Sequence, residues 1–166
     1  HEAAMDYLNA FGPISQRNRD FLYAVYMNAL RNTAELLLSA EMPDSEKLRY
    51  FIEMLNCRYT HQMMAWENLG AYNSKETQEI QDSRKELFKG IADWLLSLDE
   101  VPNEQAEDYC NIGELSSAAA EDSEGWIAFH KRNAMIYIQQ GKIEQAKTKL
   151  DELKELLRLV FRCDLF

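Results

Sequence analysis

The fold class is decided by one stretch near the carboxyl end of the chain, residues 142–161, which reads KIEQAKTKLDELKELLRLVF. Its apolar residues recur at intervals of three and four positions: Ile143, Ala146, Leu150, Leu153, Leu157 and Val160. Because an α-helix turns once every 3.6 residues, this spacing places all six side chains on one face. The stretch therefore predicts a long amphipathic helix that packs through one side.

The same spacing recurs over most of the 166 residues, and only 6 Gly and 3 Pro interrupt it. The predicted long helices cover residues 15–40, 45–69, 75–98, 124–140 and 142–161. Short helices are expected at residues 2–11, 104–113 and 114–120, with Gly113 as the break between the last two. Short connections favour antiparallel neighbours. We therefore expect an all-α fold, an antiparallel helical bundle of about six to seven helices.

Length and composition favour a single globular domain over residues 1–166. Of the 166 residues, 46% are hydrophobic and 28% charged, both within the usual range for globular proteins. A subdivision is also compatible with the pattern, with a helical bundle in residues 1–98 and an acidic segment plus a helical hairpin in residues 99–166. No apolar run approaches the ~20 residues that span a bilayer, so no membrane-spanning segment is expected.

One part of the chain carries a repeat-like pattern. Ala134, Tyr137, Gly141, Ala146 and Leu150 have the spacing of small, aromatic, turn and small positions in a helical hairpin. The pattern resembles the tetratricopeptide repeat over the final ~34 residues. The resemblance implies a hairpin over residues 124–160 and binding of a protein or peptide on a helical surface. The alternative is an ordinary antiparallel helix pair in a bundle.

A partial copy of the same spacing lies 28 residues earlier, at Ala106, Tyr109, Gly113 and Ala118. With this copy the resemblance extends over about 55 residues at most. Three copies are usually needed for a stable repeat array, and the sequence does not supply them.

The charge of the chain is concentrated in one segment. The formal net charge is −10, and residues 91–129 contain no Lys or Arg. Ten acidic residues lie there: Asp93, Asp99, Glu100, Glu104, Glu107, Asp108, Glu114, Glu121, Asp122 and Glu124. Elsewhere 18 acidic residues balance 18 Lys and Arg.

This asymmetry has two interpretations, a solvated surface that aids solubility or an acidic docking face for a protein or basic peptide. The candidate partner-binding residues are Glu100, Glu104, Glu107, Asp108, Glu114 and, from the hairpin, Tyr137. Direct binding of nucleic acid or of an anionic membrane surface needs a basic footprint, which this segment does not have. The segment also has no EF-hand loop for calcium.

No motif assigns a catalytic, cofactor-binding or metal-binding residue, so the enzyme question stays open and leans towards no enzyme. The sequence contains no Glu-x-x-His, Gly-rich phosphate loop or Gly-x-Ser-x-Gly. Cys57 and His61, four residues apart, could share a helix face, but we interpret them as structural, as we do His130 beside Trp126.

The three cysteines, Cys57, Cys110 and Cys163, are odd in number and widely spaced, which is typical of thiols in a reducing compartment. We therefore expect a cytoplasmic protein, while the sequence is also compatible with the earlier removal of a signal peptide.

The leading functional prediction is a protein–protein interaction module, in the sense of an adaptor, a chaperone-like protein or a regulatory protein. One alternative is a small-molecule sensor or enzyme with a pocket between helices, lined by Trp66, Trp94, Trp126 and Tyr137. Another is an acidic inhibitor of a nucleic-acid-binding protein. The apolar tail at residues 159–166 suggests a homo-oligomer contact.

Overall fold

The computed structural model describes residues 16–68 and 74–163 and confirms the all-α class. These residues form seven α-helices and no strand: α1 (Gln16–Ser39), α2 (Asp44–Leu55), α3 (Arg58–Asn68), α4 (Lys75–Ser97), α5 (Ala106–Ala119), α6 (Ser123–Gln139) and α7 (Ile143–Cys163). A single 3₁₀ turn, Asn103–Gln105, precedes α5. The helix expected at residues 2–11 lies outside the described residues.

The helix expected at residues 45–69 is in fact two helices, α2 and α3. Asn56 ends α2, with its N–H donating to Ile52 O at 2.9 Å. The buried hydroxyl of Thr60 then donates to Met54 O at 3.0 Å, which satisfies a carbonyl at the end of α2. This hydrogen bond stabilises the interruption between α2 and α3, at a point where the sequence has neither Gly nor Pro.

The break expected at Gly113 is also wrong, because α5 continues through that residue. Gly113 is buried, and a Cβ built there would clash with Cδ1 and Cε1 of Phe129 on α6. The glycine therefore permits close approach of two helices and does not form a turn. In the partial copy of the repeat-like spacing, the glycine thus lies inside a helix.

The chain divides into two compact units, residues 1–87 and 88–166, and the boundary between their ranges falls within the sequence of α4. The alternative subdivision placed the boundary at the end of that helix. In unit 1, α2 packs against both α1 and α3. The buried hydrophobic residues of these three helices are Tyr23, Met27, Leu30, Ala34, Leu48, Phe51, Leu55, Tyr59 and Met63.

In unit 2, α6 packs against α5 on one side and α7 on another, through short turns that make the three helices alternate in direction. Ala134 of α6 and Ala146 of α7 are both buried. The carboxyl-terminal part of α4 supplies the remaining core, with Phe88, Ile91, Ala92 and Leu95.

The turn from α5 to α6 and the turn from α6 to α7 are built alike. Asp122 N donates to Ser117 O at 3.0 Å, and Lys142 N donates to Tyr137 O at 2.8 Å. Each bond closes the same six-residue C-terminal cap around a residue with positive φ. The two hairpins of unit 2 thus turn by the same backbone device.

Among the described helices, none combines the length and apolar character that crossing a membrane requires.

Candidate functional site

A groove in unit 2 runs between the segment that follows α4 and one side of α6, with a volume of about 720 Å³. The last two residues of α4 and the segment that follows it contribute Leu96, Ser97, Leu98, Asp99, Glu100, Val101 and Asn103, and α6 contributes Arg132, Met135, Ile136 and Gln139. Its volume lies within the range of small-ligand and side-chain pockets.

Side chains from α5 and α6 hold the wall of the groove in place. The Arg132 guanidinium donates to Leu96 O at 2.9 Å and to Leu98 O, and it lies over the Tyr109 ring. The Tyr109 hydroxyl donates to Leu95 O at 3.0 Å. A cation at the carboxyl end of a helix is favoured by the helix dipole. The Arg132 guanidinium therefore forms its hydrogen bonds within the unit, where it stabilises the wall of the groove.

The groove combines apolar lining residues with exposed carboxylates at its edge. Asp99 and Glu100 are exposed at its edge, while Leu98 is buried in its wall. Met135 is 61% exposed, which leaves this apolar side chain available for contact. Gln140 Nε2 donates to Asn103 O at 3.3 Å, which ties α6 to the end of the segment. Such a surface suits a side chain with an apolar stem and a cationic head.

Four of the six predicted partner-binding residues lie within residues 100–108, and one of them lines this groove. Glu100 lines it, and Glu104 is exposed on the 3₁₀ turn immediately after Asn103. Glu107 is exposed at the start of α5, with its carboxylate 3.9 Å from Lys142 Nζ. Asp108 is half-buried. The first three therefore present carboxylates to solvent.

The other two predicted residues, Glu114 and Tyr137, lie inside the unit. The Glu114 carboxylate accepts from Lys149 Nζ at 2.9 Å and from Asn133 Nδ2 at 2.7 Å. Tyr137 is buried between α6 and its neighbours, with Lys142 Nζ 5.9 Å from its ring centroid. Both oxygens of Glu114 are engaged, so this residue joins α5, α6 and α7 to one another.

Burial also raises the pKa of two side chains of α5, Cys110 and Tyr109. Burial, aided by the negative charge of Glu114, raises the pKa of the Cys110 thiol to about 12. Burial likewise raises the pKa of Tyr109 well above its usual range. Both side chains are therefore neutral at physiological pH, and Cys110 is a poor nucleophile.

Unit 1 has a separate, more apolar groove of about 430 Å³. Its lining residues come from α1, α2 and the break after α2: Tyr26, Ala29, Leu30, Thr33, Leu37, Tyr50, Glu53, Met54 and Cys57. Tyr26 Oη and Thr60 Oγ1 are hydrogen-bonded at 2.5 Å, so one polar group near this groove is already paired.

Three of the four aromatic residues expected around a ligand pocket have side chains that the structure describes, and these three do not line one cavity together. Trp126 lines a cavity of about 260 Å³ with Leu156 and Ser117, and neither Trp94 nor Tyr137 is among its lining residues. The Trp126 ring stacks on His130, with centroids 3.5 Å apart. The side chain of Trp66 lies outside those that the structure describes.

The histidines and cysteines do not form a metal centre within the described residues, where no group of three or more His, Cys, Asp or Glu could hold an ion. His61 is exposed on α3 and Cys57 precedes that helix. His130 is buried, with Nδ1 3.0 Å from Trp126 O and Nε2 3.2 Å from Glu152 Oε2. These contacts agree with a structural interpretation of His130.

The chain matches no protein-family model, and no curated protein or solved structure is significantly similar to it. The resemblance to the tetratricopeptide repeat therefore remains a prediction.

Proposed function

We propose that this chain is a protein-interaction module whose second unit binds a basic segment of a partner protein in the groove between residues 96–103 and α6. The observation that carries the proposal is that two exposed carboxylates, Asp99 and Glu100, line the groove together with the exposed Met135.

Electrostatics favours a cationic ligand at this surface. Residues 91–129 contain no Lys or Arg, and the one cation that lines the groove, Arg132, is bound to the carbonyls of Leu96 and Leu98. Glu104 adds a further exposed carboxylate next to the groove. A basic segment would be steered to this surface, and the attraction would weaken as salt increases.

The apolar residues that line the groove add a contact that charge alone does not provide. Lys and Arg side chains lay their methylene stems on apolar surface while the charged head stays near carboxylates. Met135 is an adaptable apolar surface for such a stem. The resemblance of residues 124–160 to a tetratricopeptide hairpin, which implies peptide binding, supports the same proposal.

The test is fluorescence anisotropy with a labelled peptide of alternating lysine and leucine and the full chain. We expect Asp99→Asn with Glu100→Gln to weaken binding about five- to tenfold at low salt, since each exposed charge pair is worth up to ~1 kcal/mol. Met135→Ala should weaken binding as well. The matched control is Glu124→Gln, an exposed carboxylate on α6 that does not line the groove. Equal losses in the control and the groove variants would contradict the proposal.

A second candidate function is binding of an apolar small molecule in unit 1. The groove of about 430 Å³ lined by Leu30, Leu37 and Tyr50 has a volume typical of ligand pockets. A library screened by thermal shift would favour this function if a compound raised the melting temperature of the full chain and Leu30→Ala abolished the effect.

A further inference from the structure

The α6–α7 hairpin carries an uncovered apolar row made of Ile138, Ile143, Leu150 and Leu157. These four side chains are between 36% and 58% exposed. Large apolar side chains that are exposed singly are common, but a contiguous row marks an interaction surface.

Helix geometry places the four residues on one side of the hairpin. Ile143, Leu150 and Leu157 are seven residues apart, so they follow one edge of α7. Ile138 lies nine residues after Phe129, which corresponds to about 180° around α6. Because Phe129 packs against Gly113 of α5, Ile138 faces away from α5.

The apolar stripe of α7 is thus only half used by the fold. Ala146 and Leu153, three residues after Ile143 and Leu150, are buried. Ile143 and Leu150 themselves remain exposed. An amphipathic helix whose stripe is half buried presents the remaining half as a surface for another helix.

Three lysines border the row: Lys131 on α6, and Lys147 and Lys154 on α7. Each lies about 20° to 60° around its helix from a residue of the row. None forms an ion pair with a carboxylate of the described residues, whereas Lys142 and Lys149 pair with carboxylates of α5. The charge bordering the row is therefore positive, on a chain whose net charge is −10.

We propose that this lysine-bordered row binds an amphipathic helix of a partner protein that carries acidic residues beside its apolar stripe. The apolar residues supply the contact area, and the three lysines select the flanking charge of the ligand. Glu144 and Asp151 lie farther round α7, about 100° from the row, on the side next to Lys147 and Lys154. The row shares no residue with the lining of the acidic groove and takes a ligand of opposite charge.

A second copy of the chain fits the row less well. If two α7 helices met antiparallel with Leu150 opposite Leu150, Lys147 of one copy would be level with Leu153 of the other. Lys147 would then lie beside Lys154 of the other copy. Like charges placed together across a helix pair are destabilising. An acidic helix places carboxylates opposite the same lysines.

The experiment uses two labelled, stapled helical peptides with identical leucine stripes, one flanked by glutamates and the other by lysines, titrated into the full chain carrying Asp99→Asn and Glu100→Gln, so that the acidic groove does not retain the basic peptide. We expect the acidic peptide to bind at least about tenfold more tightly than the basic one. Leu150→Glu should abolish its binding, and Lys147→Glu with Lys154→Glu should reverse the preference. Leu36→Glu on α1, where Leu36 is also exposed, is the matched control and should leave binding unchanged.

Circular dichroism of each variant shows whether it is folded, and Leu150→Ala provides a milder test if Leu150→Glu is not. Equal affinity for the two peptides, or an unchanged preference after the lysine reversal, would overturn the proposal. Concentration-dependent dimerisation that Leu150→Glu abolishes would overturn it in favour of self-association. Asp99→Asn with Glu100→Gln should leave acidic-peptide binding intact, so failure of the groove and failure of the row can be distinguished.

Discussion

Glu121 and Gly141 occupy the same position in two turns of the same design, twenty residues apart. Their φ angles are 55° and 71°, and each is followed by the residue whose N–H closes the helix cap. A left-handed conformation costs roughly 1–2 kcal/mol for an L-residue and almost nothing for glycine. The first turn therefore bears a conformational cost that the second avoids.

Glu121→Gly should stabilise the chain by about 0.5–1 kcal/mol, because relief of the left-handed strain exceeds the extra freedom glycine has when unfolded. Gly141→Ala should destabilise it by about 1 kcal/mol. The second cost is purely conformational, because a Cβ at Gly141 would meet nothing within 4 Å. Urea unfolding of each variant gives both free energies.

The matched control for this pair is Glu124→Gly, in the first turn of α6. Since Glu124 lies within α6, the same substitution should cost up to about 1 kcal/mol there. If Glu121→Gly and Glu124→Gly shifted stability in the same direction, the strain assigned to Glu121 would be wrong.

Gly113→Ala should destabilise the chain by about 1–3 kcal/mol through overpacking, despite the higher helix propensity of alanine. The added methyl would meet Cδ1 and Cε1 of the Phe129 ring. A double-mutant cycle with Phe129→Leu measures the coupling, and the smaller side chain should recover part of the loss. Full additivity of the two substitutions would rule out the clash as the cause.

Glu114→Gln should destabilise the chain by about 1–2 kcal/mol, because it removes a charge from a largely buried pair with Lys149 and weakens the contact to Asn133. The side chains of Glu114 and Lys149 are 22% and 20% exposed. The comparison is Glu155→Gln, whose partner Arg158 lies in an exposed pair, and whose effect should stay within about 0.5 kcal/mol. Thermal unfolding of both variants decides whether Glu114 is an internal anchor, and equal effects would contradict that role.

Cys110 should resist alkylation by iodoacetamide at pH 8, whereas the partly exposed Cys57 should react. The thiol of Cys110 has its pKa raised to about 12 by burial, so little thiolate forms in the folded chain. Site-resolved mass spectrometry measures each rate. Alkylation of Cys110 as fast as that of Cys57 would show that the site is open to solvent.

The same raised pKa makes stability depend on pH in a definite direction. A group whose pKa is higher when folded contributes fully below its unfolded value of 9.0, and that contribution is lost as pH rises towards about 12. Stability should therefore decline from about pH 9 upwards, and Cys110→Ala should make the decline shallower. An unchanged slope in Cys110→Ala would assign the decline to other groups such as Tyr109.

The helices were predictable because their apolar residues recur at the helical period, and α7 shows this most clearly. Two features of the fold were not predictable from the sequence. The break between α2 and α3 has no Gly or Pro, since it depends on the Thr60 hydroxyl bonding Met54 O. Gly113 was interpreted as a turn because its true role depends on Phe129, sixteen residues farther along the chain.

The candidate groove was predictable only in part. The absence of Lys and Arg in residues 91–129 pointed to Glu100 and Glu104, and both are exposed. Glu114 lies in the same segment without Lys or Arg, but its carboxylate binds Lys149, 35 residues away in sequence, and this contact holds Glu114 inside the unit. The exposure of Met135 could not be predicted from the sequence, because an isolated methionine outside the apolar stripe of a helix can lie either on the surface or in the core.

The most direct test of the proposed function is to map the contact of the lysine–leucine peptide on the isotopically labelled full chain by NMR at low salt. The groove predicts chemical-shift changes at residues 96–101 and at Met135 and Ile136. These changes should disappear at high salt and in the chain carrying Asp99→Asn and Glu100→Gln. Peptide binding that leaves these amides unmoved, or that persists unchanged in that variant, would contradict the account.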